Sequence, residues 1–443
     1  MQIRGLFADT APLKNPHFRR LWTANMVTVV GAQLTVVAVP AQIYAQTGSS
    51  AYVGLTGLFG LVPLIVFGLW GGALADVMDR RTLMIFTTFG LIATSAAFWA
   101  QAALGNHNVW LLLCLFSVQQ AFFAVNQPTR SAILPKLLPP AELPAANSLN
   151  MTVLQAGAIA GPMVGGALIP VTGFSLLYLI DTCTLFATLG AVVLLPKLPV
   201  EGSTGNAGLR SVVDGLSYLR GHPVLLASFL VDLIAMVFGM PRALFPAIAH
   251  LNFGGPSDGG TAFALLFAAI PLGAVIGGVF SGWVSRVQRQ GVAVIAAIVV
   301  WGLAILGFGL AVGVADHTAR TLMLVLAVMM LVIAGAADMA SAAFRMSMLQ
   351  ASASDAVRGR LQGVFIVVVA GGPRIADVAH GGAAAIVGSA AAAAGGGVLV
   401  VVLVIIAAFA VPMFVRYRLA PEPQALPSRE MPAAVLDEQD SST

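Results

Sequence analysis

Charge is what this sequence most lacks. Only 9% of its 443 residues are Asp, Glu, Lys or Arg, while 58% are hydrophobic. A soluble chain of this length needs far more polar surface. Cysteine is almost absent. Cys114 and Cys183 both sit in apolar blocks and could pair only if neighbouring helices met, so two buried free thiols are expected. The six His show no close metal-ligand spacing, and neither metal nor cofactor is expected. No clustered His, Asp or Glu and no nucleophile constellation points to an enzyme. No phosphate-binding loop is present, which argues against a self-contained ATP-driven pump. The net charge of +4 is too small to signal nucleic acid; its placement matters more. Residues 1–20 carry Arg4, Asp9, Lys14, Arg19 and Arg20 without an apolar core. They read as a cytosolic lead-in rather than a cleaved signal peptide.

What is there is a series of long apolar blocks. A bilayer core of roughly 30 Å needs about 20 residues of helix. Twelve candidate spans reach that scale: 21–45, 51–75, 82–104, 109–128, 146–170 and 174–195, then 224–249, 261–284, 291–314, 321–344, 361–380 and 386–415. The last pair is the weakest, because 376–397 is mostly Ala and Gly. The expected fold is an all-α polytopic membrane protein, with 12 transmembrane helices as two pseudo-symmetric six-helix bundles. The basic residues test this map. With both termini on one side, turns near 76–81, 129–145, 196–223, 285–290 and 345–360 and the two ends hold all but three of the 22 Lys and Arg. Arg320 lies in an opposite turn, and Arg242 and Arg374 lie inside spans. That asymmetry places both termini in the cytoplasm of a multi-pass inner-membrane protein. His107, Asp258 and Asp316 mark outer turns.

The domain expectation follows: a cytosolic segment 1–20, a bundle 21–195, a linker 196–223, a second bundle 224–415 and a disordered cytosolic tail 416–443. Within the linker, Val212, Val213, Leu216 and Leu219 recur at helical spacing and predict a short amphipathic helix. Two sets of six suggest a substrate site between bundles that rock to expose it alternately.

The turn Gly72-Ala73-Leu74-Ala75-Asp76-Val77-Met78-Asp79-Arg80-Arg81 packs charge between apolar runs. Gly72 allows close helix approach. Asp76, at the membrane edge, can accept from a helix N-terminus or pair with Arg. Gly72, Leu74, Asp76, Arg80 and Arg81 match the loop between spans two and three of the major facilitator superfamily, which this sequence resembles. Val77 and Asp79 depart from the family's basic and Gly positions. The resemblance implies that Gly72, Asp76, Arg80 and Arg81 form a conformational latch between the bundles; the alternative is that the arginines only fix topology. The corresponding turn of the second half, Gly278 to Arg286, keeps glycines but has Ser281-Gly282 where an acidic copy would carry its Asp.

Span five holds Gly157, Gly161, Pro162, Gly165 and Gly166. Gly157 and Gly161 form a small-x-x-x-small face, and Pro162 bends the helix. The full order resembles the antiporter-type motif of exporters that run against protons. Pro128 to Leu137, Asp214 to Arg220, Arg242 to Ala247, Ala268 to Gly277 and Gly359 to Gly363 are similar to the branch containing the bacterial enterobactin exporter. That resemblance covers about residues 12–415.

An ionisable group at mid-bilayer costs roughly 2.5 kcal/mol or more on insertion scales, so such groups face a bundle interior. Asp181, Asp232, Asp338 and Asp377 are the candidates for proton coupling, with Arg345 as a further intramembrane charge. Asp232 and Arg242 are ten apart and cannot pair on a straight helix; Pro241 favours a local break there. Arg374 and Asp377, three apart, can pair on one face or contact substrate. Asp181 and Asp338 lack a local partner and either carry a coupling proton or bond to a neighbouring helix. Candidate substrate contacts are Asn25, Gln33, Gln119, Asn126, Gln155, Arg242, Phe245 and Arg374; ordinary core packing is the alternative for Phe245. The expected function is secondary-active export of a small organic molecule by a monomer in the lipid bilayer, coupled to protons, with a siderophore as the sharper cargo. A broad drug efflux pump is the same-class alternative, and a non-transporting scaffold or sensor the alternative of another class.

Overall fold

A computed structural model describes residues 9–197, 217, 219–315, 320–352 and 355–418. Of the amphipathic helix expected in the linker, Val212, Val213 and Leu216 lie outside the described residues, as do Asp316 and the tail beyond residue 418, while Leu219 is described and buried. Among the described residues the secondary structure is helical, with no strand.

The first half holds α1 (Pro16–Thr47), α2 (Ser50–Val77), α3 (Arg80–Ala103), α4 (Val109–Leu137) and α5 (Leu143–Val193). Their ends follow capping rules. Asn15 Oδ1 accepts from the backbone N–H groups of His17 and Phe18 at 2.9 and 3.2 Å at the start of α1. Gly48, at φ 64°, closes that helix in the left-handed region. Asn108 caps α4 in the same manner. Helix α5 is two helices in one, because Gly173 (φ 74°, ψ 178°) breaks it. A residue with a Cβ would be strained there.

The second half holds α6 (Pro223–Gly239), a 3₁₀ turn Arg242–Leu244, α7 (Phe245–Leu251), α8 (Thr261–Val279), α9 (Gln290–Val314), α10 (Arg320–Ser352), α11 (Asp355–Val387), α12 (Ser389–Ala410) and α13 (Pro412–Val415). The seventh expected span is therefore interrupted at Pro241, as its proline predicts. The expected span 261–284 stops earlier: α8 ends at Val279 and a 3₁₀ turn, Ser281–Arg286, follows. Gly388, at φ 83°, separates α11 from α12, so the Ala- and Gly-rich stretch makes two helices. Among the described residues, ten segments are long and apolar enough to cross a membrane.

Packing is mostly within each half. Helix α1 packs on α5, α3 on α4 and α5, and α2 on α4. In the second half α9 packs on α10 and α12, α8 on α10, and α6 on α11 and α12. The halves meet along α2 with α11 and α5 with α8. The two cysteines are free, but both are exposed rather than buried. They occupy outward faces of α4 and α5, where apolar sequence context reflects lipid-facing surface as well as core.

Candidate functional site

The seam between α2 and α11 is unusually close, and glycine makes it so. A Cβ on Gly54 would stand 3.1 Å from the Cα of Gly381. One on Gly57 would stand 2.9 Å from the Cβ of Asp377, and one on Gly60 3.1 Å from Arg374 Nε. These glycines recur every three residues on α2, a spacing that puts them on one face. Sequence reasoning missed this stripe, although its spacing was readable.

The seam gathers charge. Arg374 Nη2 donates to Gln120 Oε1 of α4 at 3.1 Å. Its guanidinium lies 5.2 Å from the centroid of Phe116, also on α4. Thus Arg374, carried by the second half, is held by two residues of the first. Asp377 lies within electrostatic reach of both Arg374 and Arg242. Arg242, presented by the 3₁₀ turn at Pro241, stacks 5.9 Å from Phe267. Two guanidiniums and one carboxylate leave this junction with a net positive charge.

The other candidates separate. Phe245 is 1% exposed and packs edge-on against Phe267 and Phe308, which is core. Asn126 donates to Thr87 and Thr88 at 2.8 and 3.4 Å, binding α4 to α3 inside the first half. Asn25 and Gln119 are buried, and Gln155 is half-buried. Gln33 backs the glycines of span five: a Cβ on Gly161 would collide with its side chain and stand 3.2 Å from its carbonyl carbon.

That glycine motif faces two ways. Gly157, Gly161 and Gly165 lie against Val29, Gln33 and Leu34 of α1. Gly166 instead meets α8, where a Cβ would stand 2.6 Å from the Cβ of Ala264. Its carbonyl would normally accept from residue 170, but Pro170 has no N–H. The freed carbonyl accepts from Gly260 N–H across the halves at 2.9 Å. Proline and glycine together thus join α5 to the N-terminus of α8.

In the second half, Asp232 of α6 forms a buried ion pair with Arg345 of α10. Arg345 Nε also donates to Ser341 at 3.3 Å, and Asp338 lies in electrostatic reach of both partners. Sequence spacing examined Asp232 only against Arg242 on its own segment. Its true partner comes from another helix. In the first half, Asp181 is 1% exposed. Its Oδ2 accepts from Thr35 of α1 at 2.7 Å and Ser95 of α3 at 2.9 Å.

At the expected latch, Gly72 and Asp76 lie in the last turns of α2, and their side-chain surroundings fall outside those described. Arg80 donates to the Ala132 carbonyl at 3.1 Å and Arg81 to the Val193 carbonyl at 2.6 Å. Both carbonyls belong to the same half. Val193 ends α5, so Arg81 satisfies a helix C-terminus. Asp79, which departs from the family pattern, accepts from Thr82 N–H at 2.9 Å and starts α3. Among the described residues no group of three or more His, Cys, Asp or Glu could hold a metal.

Comparison with known proteins is consistent across sequence and fold. The profile of a family described as "Transmembrane secretion effector" matches residues 7–440. The enterobactin exporter EntS of Shigella boydii is 28% identical over 369 residues, covering 83% of this chain and 85% of the relative. EntS of Escherichia coli shares the same identity and coverage. Among solved structures, a POT family transporter in complex with 5-aminolevulinic acid superposes with a TM-score of 0.73 at 12% identity, over 90% of this chain and 97% of the other. A bacterial homologue of the human lysosomal transporter Spinster, inward-facing and unoccupied, gives 0.68 at 17% identity, over 94% of this chain and all of the other.

Proposed function

The chain belongs to the transmembrane secretion effector family of major facilitator transporters, and from that premise we propose that it exports a small anionic organic molecule across the cytoplasmic membrane by alternating access. It is a multi-pass membrane transporter rather than an enzyme. Breaking α5 at Gly173 and adding α11 to the ten apolar segments gives twelve crossings, in bundles 21–195 and 224–415. Both termini are then cytoplasmic, and the seams at Gly54–Gly381 and Gly166–Gly260 lie on the outer side.

The observation that carries the cargo reading is the junction of Arg242, Arg374 and Asp377, fixed by Gln120 and Phe116 of the opposite bundle. Excess positive charge beside aromatic faces suits an anionic, aromatic ligand. A catecholate siderophore has that chemistry, and EntS is named an enterobactin exporter. Inward proton flow is the proposed driving force, supported by the antiporter-type order of Gly157 to Gly166. In proteoliposomes with an imposed pH gradient, enterobactin should move uphill. Arg374→Ala should cut that flux at least tenfold, and Arg374→Lys should restore only part of it, since the planar contacts to Gln120 and Phe116 are lost. Wild-type flux in Arg374→Ala would remove the junction from the cargo path.

A second reading rests on Asp232, Arg345 and Asp338, where two carboxylates face one guanidinium. A cationic drug would be drawn there. Gradient-driven efflux of ethidium, lost in Asp338→Asn and untouched in Arg374→Ala, would favour drug export.

A further inference from the structure

We propose that Asp181 is a proton-binding site built inside the first bundle, apart from the charged junction where cargo is proposed to bind. The proposal rests on the proton-coupled export reading and gives its coupling ion a place.

Asp181 sits where α1, α3 and the second part of α5 meet. Thr35 and Ser95 both donate to Oδ2. Oδ1 is fully buried and has no hydrogen-bond partner. Two hydroxyl donors on one oxygen and none on the other make an asymmetric cradle. An ionised carboxylate leaves Oδ1 buried and unpaired, which is expensive. A proton on Oδ1 removes the charge and keeps both hydroxyl bonds to Oδ2.

The space over Oδ1 is provided by glycine. A Cβ on Gly31 would stand 3.0 Å from Asp181 Oδ1 and would collide with Thr184 Oγ1. Gly31 therefore leaves a gap over which the free oxygen and the Thr184 hydroxyl converge. From there hydroxyls continue toward the end of the bundle that carries the N-terminus. Thr184 Oγ1 donates to the Asp181 carbonyl at 2.9 Å, Thr28 Oγ1 donates to the Thr184 carbonyl at 3.0 Å, and Thr28 and Thr188 share a 2.6 Å hydroxyl contact. The opposite side is shut. Tyr178 stacks on Phe98 with centroids 5.1 Å apart, and its hydroxyl donates to Gln42 at 2.8 Å. The groups facing Asp181 are thus Gly31 and Thr35 from α1, Ser95 from α3, and Tyr178, Thr182 and Thr184 from its own helix. Tyr178 is the titratable one, and no Lys, Arg or His is among them.

Infrared difference spectra of the purified full-length protein in liposomes, taken between acidic and neutral pH, read this site without any cargo. The wild type should show a protonated-carboxyl carbonyl band that Asp181→Asn removes and Asp338→Asn retains. Gly31→Ala, which presses on Oδ1, and Thr35→Val, which keeps the carboxylate, should each shift the pH midpoint of that band. With enterobactin as probe, Asp181→Asn should lower gradient-driven flux to the no-gradient control while leaving gradient-independent exchange intact. A wild-type band in Asp181→Asn, or unmoved midpoints in both cradle variants, would overturn the proposal. If Asp181→Asn removes the band while enterobactin moves in no variant, the proton site stands and the cargo reading falls.

Discussion

The Asp232–Arg345 pair shows how far single residues depend on partners remote in sequence. Each charge is almost fully buried, at 1% and 5% exposure. Removing one leaves the other unpaired, at a cost of about 3–5 kcal/mol. Arg345→Ala should therefore lower the unfolding temperature of the detergent-solubilised protein markedly. The paired change Asp232→Asn with Arg345→Gln, made together with Asp338→Asn because that carboxylate also lies in reach of Arg345, should recover much of the loss, since no charge is then stranded. Equal destabilisation by the single and combined variants would show that packing, rather than charge, accounts for the effect. The sequence shows both residues to be intramembrane charges but not that they meet, because α6 and α10 are joined only by tertiary packing. Arg81 gives the same lesson. Its position in the charged turn was readable, whereas the Val193 carbonyl it holds was not.

At the scale of elements, prolines and glycines decide where helices break and touch. The interruption after α6 was expected from Pro241, and it brings Arg242 to the seam. The break at Gly173 falls in the expected gap between two spans, 170 to 174. Not readable was the effect of Pro170 four residues after Gly166, which frees a carbonyl for Gly260. Pro170→Ala restores an N–H that competes for that carbonyl. It should loosen the contact between α5 and α8. Spin-label distances between residues 168 and 262 should broaden or lengthen relative to wild type. Unchanged distances would mean that the Gly166–Ala264 packing alone holds this seam.

For the molecule as a whole, the arrangement of Lys and Arg predicts sidedness, and labelling can check it. In a background with Cys114 and Cys183 replaced by Ser, His107→Cys and Asp258→Cys should react with an impermeant maleimide from outside intact cells. Arg289→Cys should react only in inverted vesicles. Adding Asp76→Asn should change the accessibility of cysteines placed in the two seams, because a latch biases the balance between conformations. Identical reactivity at both faces with and without that change would leave Asp76 a topological residue.

The sequence by itself determined that the chain is helical, spans a membrane many times and belongs among transporters. Apolar length, scarce charge and short motifs are local properties, each legible along the chain. The turn from Gly72 to Arg81 and the glycines of span five were sufficient for the family resemblance. Only the tertiary structure decided which intramembrane charges meet: Asp232 with Arg345, Arg374 with Gln120, and Asp181 with Thr35 and Ser95. In an apolar medium every buried charge needs a partner. The partner's identity depends on which helix faces turn toward each other, and no residue encodes that alone.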